Sequence, residues 1–263
     1  MRILVQEPLV YINVAFEPRI ATSMKEIYLD EAQRLDPEEA KAAIFYSIVT
    51  TQPGLKGVDL PHQLIKWTSR YLHQQYKGLT EFSTLSPIPG FMPWLRLSLS
   101  SPSPSSPSLA ERKAWLKAML PAKVEVVAKE LGISSSVPPQ EALVEALENH
   151  RWFENERVVG ALQPLMLRLC AHYVITERAV NGSTQALDRV ANFHLGNGAY
   201  VHGLNWMADL APLRLSESAS LMANYKYPSP ADATTGAADA ALYHREGIIK
   251  ASPDVEALLR DRW

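Results

Sequence analysis

In the stretch 81–95, EFSTLSPIPGFMPWL, an alternating run reaches a serine, Ser86, and then meets Pro87, Ile88, Pro89 and Gly90. Proline cannot donate to a sheet ladder, so two of them around one residue end a strand abruptly. The segment has two readings: a rigid turn into the apolar helix that contains Trp94, or a hydroxyl held at a strand end, where sites are often built. Ser86 lacks GxSxG surroundings, which disfavours a hydrolase nucleophile. A second candidate lies at Gln52-Pro53-Gly54-Leu55-Lys56-Gly57, between an apolar run and an amphipathic segment. Glycines there would let backbone amides approach a phosphate, a helix N-terminus would add partial positive charge, and Lys56 could add a formal one. The spacing is neither Walker nor Rossmann, and from the pattern alone an ordinary turn is the better reading of the loop. Asp59 would repel a phosphate, which places any diphosphate on the amides before it.

Histidines stand at positions 62, 73, 150, 172, 194, 202 and 244, with no HExxH or comparable metal spacing. His194, within NFHLGNG, sits before a glycine turn and reads either as a satisfied structural histidine or as a proton carrier. Tyr225 and Tyr227 read as half-buried packing residues. The lone cysteine, Cys170, lies in the apolar pattern LMLRLCAHY; it reads as a buried thiol, excludes an intramolecular disulfide framework and fits a reducing compartment.

The elements that must position these groups follow from periodicity. Residues 8–16 and 44–51 read as strands, the second buried on both faces, and 81–86 as a third. A polar helix is expected at about 20–35. A second, starting near residue 60, carries Leu64, Trp67, Tyr71 and Leu72 on one face. The order strand–helix–strand makes an α/β unit in which strands 44–51 and 81–86 run parallel in one mixed sheet with 8–16. Residues 98–108, SLSSPSPSSPS, read as a mobile Ser/Pro loop, followed by helices at about 109–131, 138–150 and 154–178. Residues 189–209 read as two short strands around a Gly-Asn-Gly turn, then a helix at about 216–223. A last helix begins at Ser252-Pro253-Asp254. Apolar residues make up 47% and the net charge is −2, a globular balance that offers no bulk attraction to nucleic acid or an anionic membrane. No apolar run reads as a membrane span, and the first residues show no signal-peptide layout.

Six stretches in order, AAIFYSIVTTQPGLKGVDL, FSTLSPIPGF, RVANFHLGNGA, LNWMADL, LMANYKY and IIKAS, resemble the malonyl-CoA decarboxylase family, with a poorer match over 97–157. The resemblance implies a GNAT-like acyltransferase fold, a mixed central sheet flanked by helices with a helical segment inserted at 109–178. It implies conversion of malonyl-CoA to acetyl-CoA and carbon dioxide without metal or organic cofactor. The family's serine falls on Ser86, its histidine on His194 and a supporting tyrosine on Tyr227. Its acyl-CoA loop falls on Gln52, Gly54, Lys56, Gly57, Val58, Asp59, Leu60, Pro61 and His62. The family's helical domain that precedes the catalytic one, used in oligomerisation, has no match here. The expectation is therefore one catalytic domain over 1–263, with self-association into a homo-oligomer still open. Asp59 stands where the family carries glutamate, and the Ser/Pro insert is unusual. The ending DRW lacks the peroxisomal Ser-Lys-Leu, so the cytoplasm is expected, with mitochondrial and peroxisomal placement left open. Two other classes compete: a GNAT-type transferase that passes the acyl group to an amine, separable by assaying carbon dioxide against acyl transfer, and an inactive acyl-CoA-binding fragment, separable by turnover.

Overall fold

The computed structural model describes residues 8–28, 35–51, 60–100, 120–149, 151–179 and 183–260. Its frame is a six-stranded mixed sheet. The β-branched and aromatic run Ala42–Thr50 forms β2, paired antiparallel with β1 (Val10–Glu17) and parallel with β3 (Glu81–Thr84). The parallel pair is joined through α2 (Leu60–Gln75), as the strand–helix–strand order predicts. Beyond β3 the ladder continues through β6 (Met222–Tyr227), which also pairs antiparallel with the two-residue β4 (Ser86–Pro87) and with β5 (Tyr200–Asn205).

Successive side chains of β2 point to opposite faces, and the two faces are packed very unequally. Ala43 and Phe45, with Phe82, Tyr225 and Tyr227, lie in a large core with helices α2, α3 (Phe91–Ser100), α4 (Pro121–Leu131), α5 (Pro139–Glu148), α6 (Glu156–Thr176) and α7 (Arg189–Gly196). Ala42 and Ile44 face a small cluster with Ala21, Met24, Leu85, Ala208 and Met222. That second face is covered in part by the short α1 (Met24–Ile27), held by a bond from the Met24 amide to the Ala208 carbonyl.

Several elements differ from the sequence reading. Of the helix expected at about 20–35 only α1 is found, and 29–34 lie outside the described residues. On α2 the buried row is Ile65, Ser69 and Leu72, whereas Trp67 and Tyr71 are 68% and 61% exposed. Both rows have helical spacing; Ser69 can be buried because its hydroxyl donates to the Ile65 carbonyl at 2.8 Å. Ser98 to Ser100, expected in the Ser/Pro loop, end α3, and Ser98 is buried; 101–108 lie outside the described residues.

Helix α6 has the length and mean hydropathy of a membrane span, against the expectation, yet more than half of that window is buried in the fold. Arg168 is among its buried residues. It is the central strut of the large core, with Cys170 fully buried as expected. The strand expected at the start of 189–209 is helix α7 instead. Helix α8 (Pro212–Ser218) lies earlier than 216–223, ended by Ala219 in the left-handed region. Helix α9 (Ala233–Glu246) was not foreseen. Helix α10 (Pro253–Arg260) starts where expected, with the Ser252 hydroxyl accepting from the Val255 amide.

Candidate active site

Ser86 opens β4 and pairs with Ala223 of β6, while Phe82 and Ser83 of β3 pair with Tyr227 and Lys226. Between these pairings the backbone ladder is replaced by side chains. The Tyr225 amide donates to Thr84 Oγ1 at 3.1 Å, and Asn224 Nδ2 donates to the Thr84 carbonyl at 2.7 Å. The strand is thus opened at Thr84-Leu85 without losing buried hydrogen bonds, and Pro87 then prevents the ladder from running on. Ser86 is left 7% exposed, with its hydroxyl donating to Thr84 Oγ1 at 2.9 Å.

His194 arrives from above the sheet on α7. Asp188 starts that helix, its carboxylate accepting from the Ala191 amide at 2.8 Å. Gly196 and Asn197 end it, and the His194 carbonyl accepts from the Asn197 and Ala199 amides. The imidazole is 4% exposed and stacks on Tyr225, with ring centroids 4.7 Å apart. Nε2 lies 3.2 Å from Ser86 Oγ, and Nδ1 lies 2.8 Å from the Tyr227 hydroxyl. Tyr225 and Tyr227, two apart on β6, share the face that receives the ring. Neither is half-buried as the alternation suggested: both are buried in the large core. Burial pushes the Tyr227 phenol well above its ordinary range, partly offset by the nearby Asn197 side chain. Its proton therefore stays on oxygen at neutral pH.

The structure thus brings together Ser86, His194 and Tyr227, which lie far apart in sequence. Of the expected acyl-CoA loop, Gln52, Gly54, Lys56, Gly57, Val58 and Asp59 lie outside the described residues, as do the side chains of Leu60 and His62. Pro61 is partly buried in the first turn of α2. A cavity of about 160 Å³ lies behind Tyr227, lined by Asn197, Pro228, Gly236 and, from α2, Lys66, Ser69 and Arg70. Thr84, Asn197 and Tyr225 were not singled out as site residues from sequence. The cap at Asp188, before Val190, Ala191, His194 and Leu195 in helical order, was the signal that could have placed His194 on a helix.

This geometry can hold an anionic group at a neutral hydroxyl and deliver a proton beside it. The chain as a whole resembles known proteins. A family model described as malonyl-CoA decarboxylase C-terminal domain matches residues 2–263. The chain is 36% identical over 251 residues to the mitochondrial malonyl-CoA decarboxylase of Anser anser anser, covering 95% of this chain and 46% of that protein. With the mitochondrial malonyl-CoA decarboxylase of Rattus norvegicus it shares 37% over 224 residues, 84% of this chain and 42% of that one. Among solved structures, malonyl-CoA decarboxylase from Rhodopseudomonas palustris superposes with a TM-score of 0.76 at 29% identity, covering 97% of this chain and 50% of that chain. The enzyme from Agrobacterium vitis gives 0.75 at 29% identity, covering 97% and 54%. The chain spans less than half the length of these curated relatives. In sequence and in fold, it belongs to the malonyl-CoA decarboxylase C-terminal domain family.

Proposed function

We propose that this chain decarboxylates malonyl-CoA to acetyl-CoA and carbon dioxide. The observation that carries the reading is the buried contact of Ser86 Oγ with His194 Nε2, backed by Tyr227 on Nδ1. The thioester carbonyl is itself the electron sink. As the bond between the carboxylate carbon and the α-carbon breaks, its electron pair moves into the thioester as an enolate, and carbon dioxide leaves. No metal or organic cofactor is needed for that step. Ser86 orients the carboxylate through a neutral hydroxyl, which leaves less charge to overcome than an arginine would when the group departs as neutral carbon dioxide. Its rigid position between opened strand and prolines preorganises it. His194 then gives its Nε2 proton to the α-carbon, the enolate collapses to the acetyl thioester, and a proton taken up from water restores the ring. Backbone amides near the end of β2 would stabilise the enolate oxygen, and the loop 52–62 would take the CoA diphosphate.

The role follows from the reaction: removal of malonyl-CoA in fatty acid metabolism. A reducing aqueous compartment, cytoplasm or organelle interior, rests on the lone buried thiol of Cys170. The test is acetyl-CoA formation from malonyl-CoA by the purified chain. Ser86→Ala should leave CoA affinity nearly intact and lower turnover. His194→Asn, which keeps a donor but has no proton to give at neutral pH, should lower turnover by about 10²–10⁴-fold. Full carbon dioxide release by the folded double variant would sink the assignment.

A further inference from the structure

We infer that Thr84 is a positioning residue that fixes the direction of one hydrogen-bond chain, so that in the free chain His194 rests as the neutral Nε2–H tautomer with its proton toward Ser86. The direction can be worked out from the sheet. At the sheet end the Tyr225 amide can only donate, and Thr84 Oγ1 accepts from it at 3.1 Å. Ser86 spends its own hydroxyl proton on the same oxygen, at 2.9 Å. What Ser86 Oγ then offers His194 across 3.2 Å is a lone pair, and only a protonated Nε2 can use it.

At the other end the Tyr227 hydroxyl lies 2.8 Å from His194 Nδ1 and, as a phenol that keeps its proton at neutral pH, can donate to it. A neutral imidazole that accepts at Nδ1 carries its hydrogen at Nε2. The two ends agree, and they meet at the ring. His194 has little freedom to escape the assignment, because it is 4% exposed and stacked on Tyr225. The consequence is chemical: in the free chain the histidine does not rest as a base that would strip the serine, and a carboxylate that takes the Ser86 proton in place of Thr84 meets a ring already protonated at Nε2.

The inference rests on the decarboxylase reading only for its kinetic half, since the tautomer can be observed without substrate. The experiment is two-bond proton–nitrogen NMR on histidine-labelled protein, at a pH where the ring is neutral, together with kcat and KM. In the unaltered chain His194 should show a protonated Nε2 and an accepting Nδ1; the reverse pattern would overturn the inference outright. Thr84→Val removes the acceptor in the sheet and frees the Ser86 proton to point at Nε2, so the nitrogen pattern should shift toward a protonated Nδ1. It should cost about 3- to 10-fold in kcat, the scale of one hydrogen bond, with KM little changed, while Thr84→Ser restores both. If folded Thr84→Val keeps the unaltered tautomer and kcat, the side chain merely packs.

Discussion

Asp188 shows how much of this site is electrostatic engineering at single residues. Its carboxylate is 1% exposed, caps α7 through the Ala191 amide and accepts from the Tyr173 hydroxyl at 3.3 Å. Burial raises its pKa above 3.8, and the bonds from Ala191, Tyr173 and Val190 only partly offset that. The folded state therefore holds this proton more tightly than the unfolded chain. Stability from this group is present below 3.8 and is lost as pH rises through the higher folded value. Asp188→Asn keeps the cap and removes the charge. Urea midpoints of the variant should gain on those of the unaltered chain as pH rises through that window, then hold a constant lead; a difference flat in pH would contradict the assignment. At this scale the sequence was half legible. Ser86 announces itself by the prolines that follow and His194 by the glycine turn, both features of local chemistry. Thr84 carries no such mark, because the direction of a hydrogen bond is settled only when a backbone amide from β6 arrives in space.

Between elements, the turn after α7 is held against α9 by a close approach of backbones. Gly198 has φ +89, and a Cβ there would overlap the Gly236 carbonyl. At Gly236 a Cβ would meet Pro228 Cγ at 3.4 Å, Pro228 Cδ at 3.6 Å and the Gly198 carbonyl oxygen at 3.7 Å, all ordinary contacts. Gly198→Ala should thus cost a few kcal/mol, about 1–3 from overpacking in addition to backbone strain. Gly236→Ala, within a helix, should be neutral or gain up to about 1 kcal/mol from lost unfolded-state freedom. Chemical denaturation of the two variants separates these outcomes, and equal effects would mean the backbones can slide apart freely. The parallel pair β2 and β3 was readable because its apolar runs are short, β-rich and divided by an amphipathic helix. Helix α7 was not, since apolar residues at 190, 191, 193 and 195 suit a strand nearly as well as a helix. What decides between them is the carboxylate at Asp188 and a tyrosine floor contributed by a distant strand.

Across the whole molecule, the helices crowd one face of the sheet, and Ser86, His194 and Tyr227 are all anchored on that side. The other face is held by the small cluster around Met24 and Leu85, under an edge strand, β1, that pairs with β2 alone. Fewer buried contacts mean a smaller opening free energy. Amide exchange should therefore reach β1 before β2, β3 and β6, and uniform protection across the sheet would refute that ranking. The two faces meet at Asn224, whose side chain donates to the Ala21 and Thr84 carbonyls. Loosening the segment around Ala21 costs Asn224 one of those two partners and leaves the bond to Thr84 in place. A chain clipped by a protease near Ala21–Met24 would accordingly keep Asn224 bonded to Thr84, and a probe of that contact alone would pass a preparation that a gel would reject.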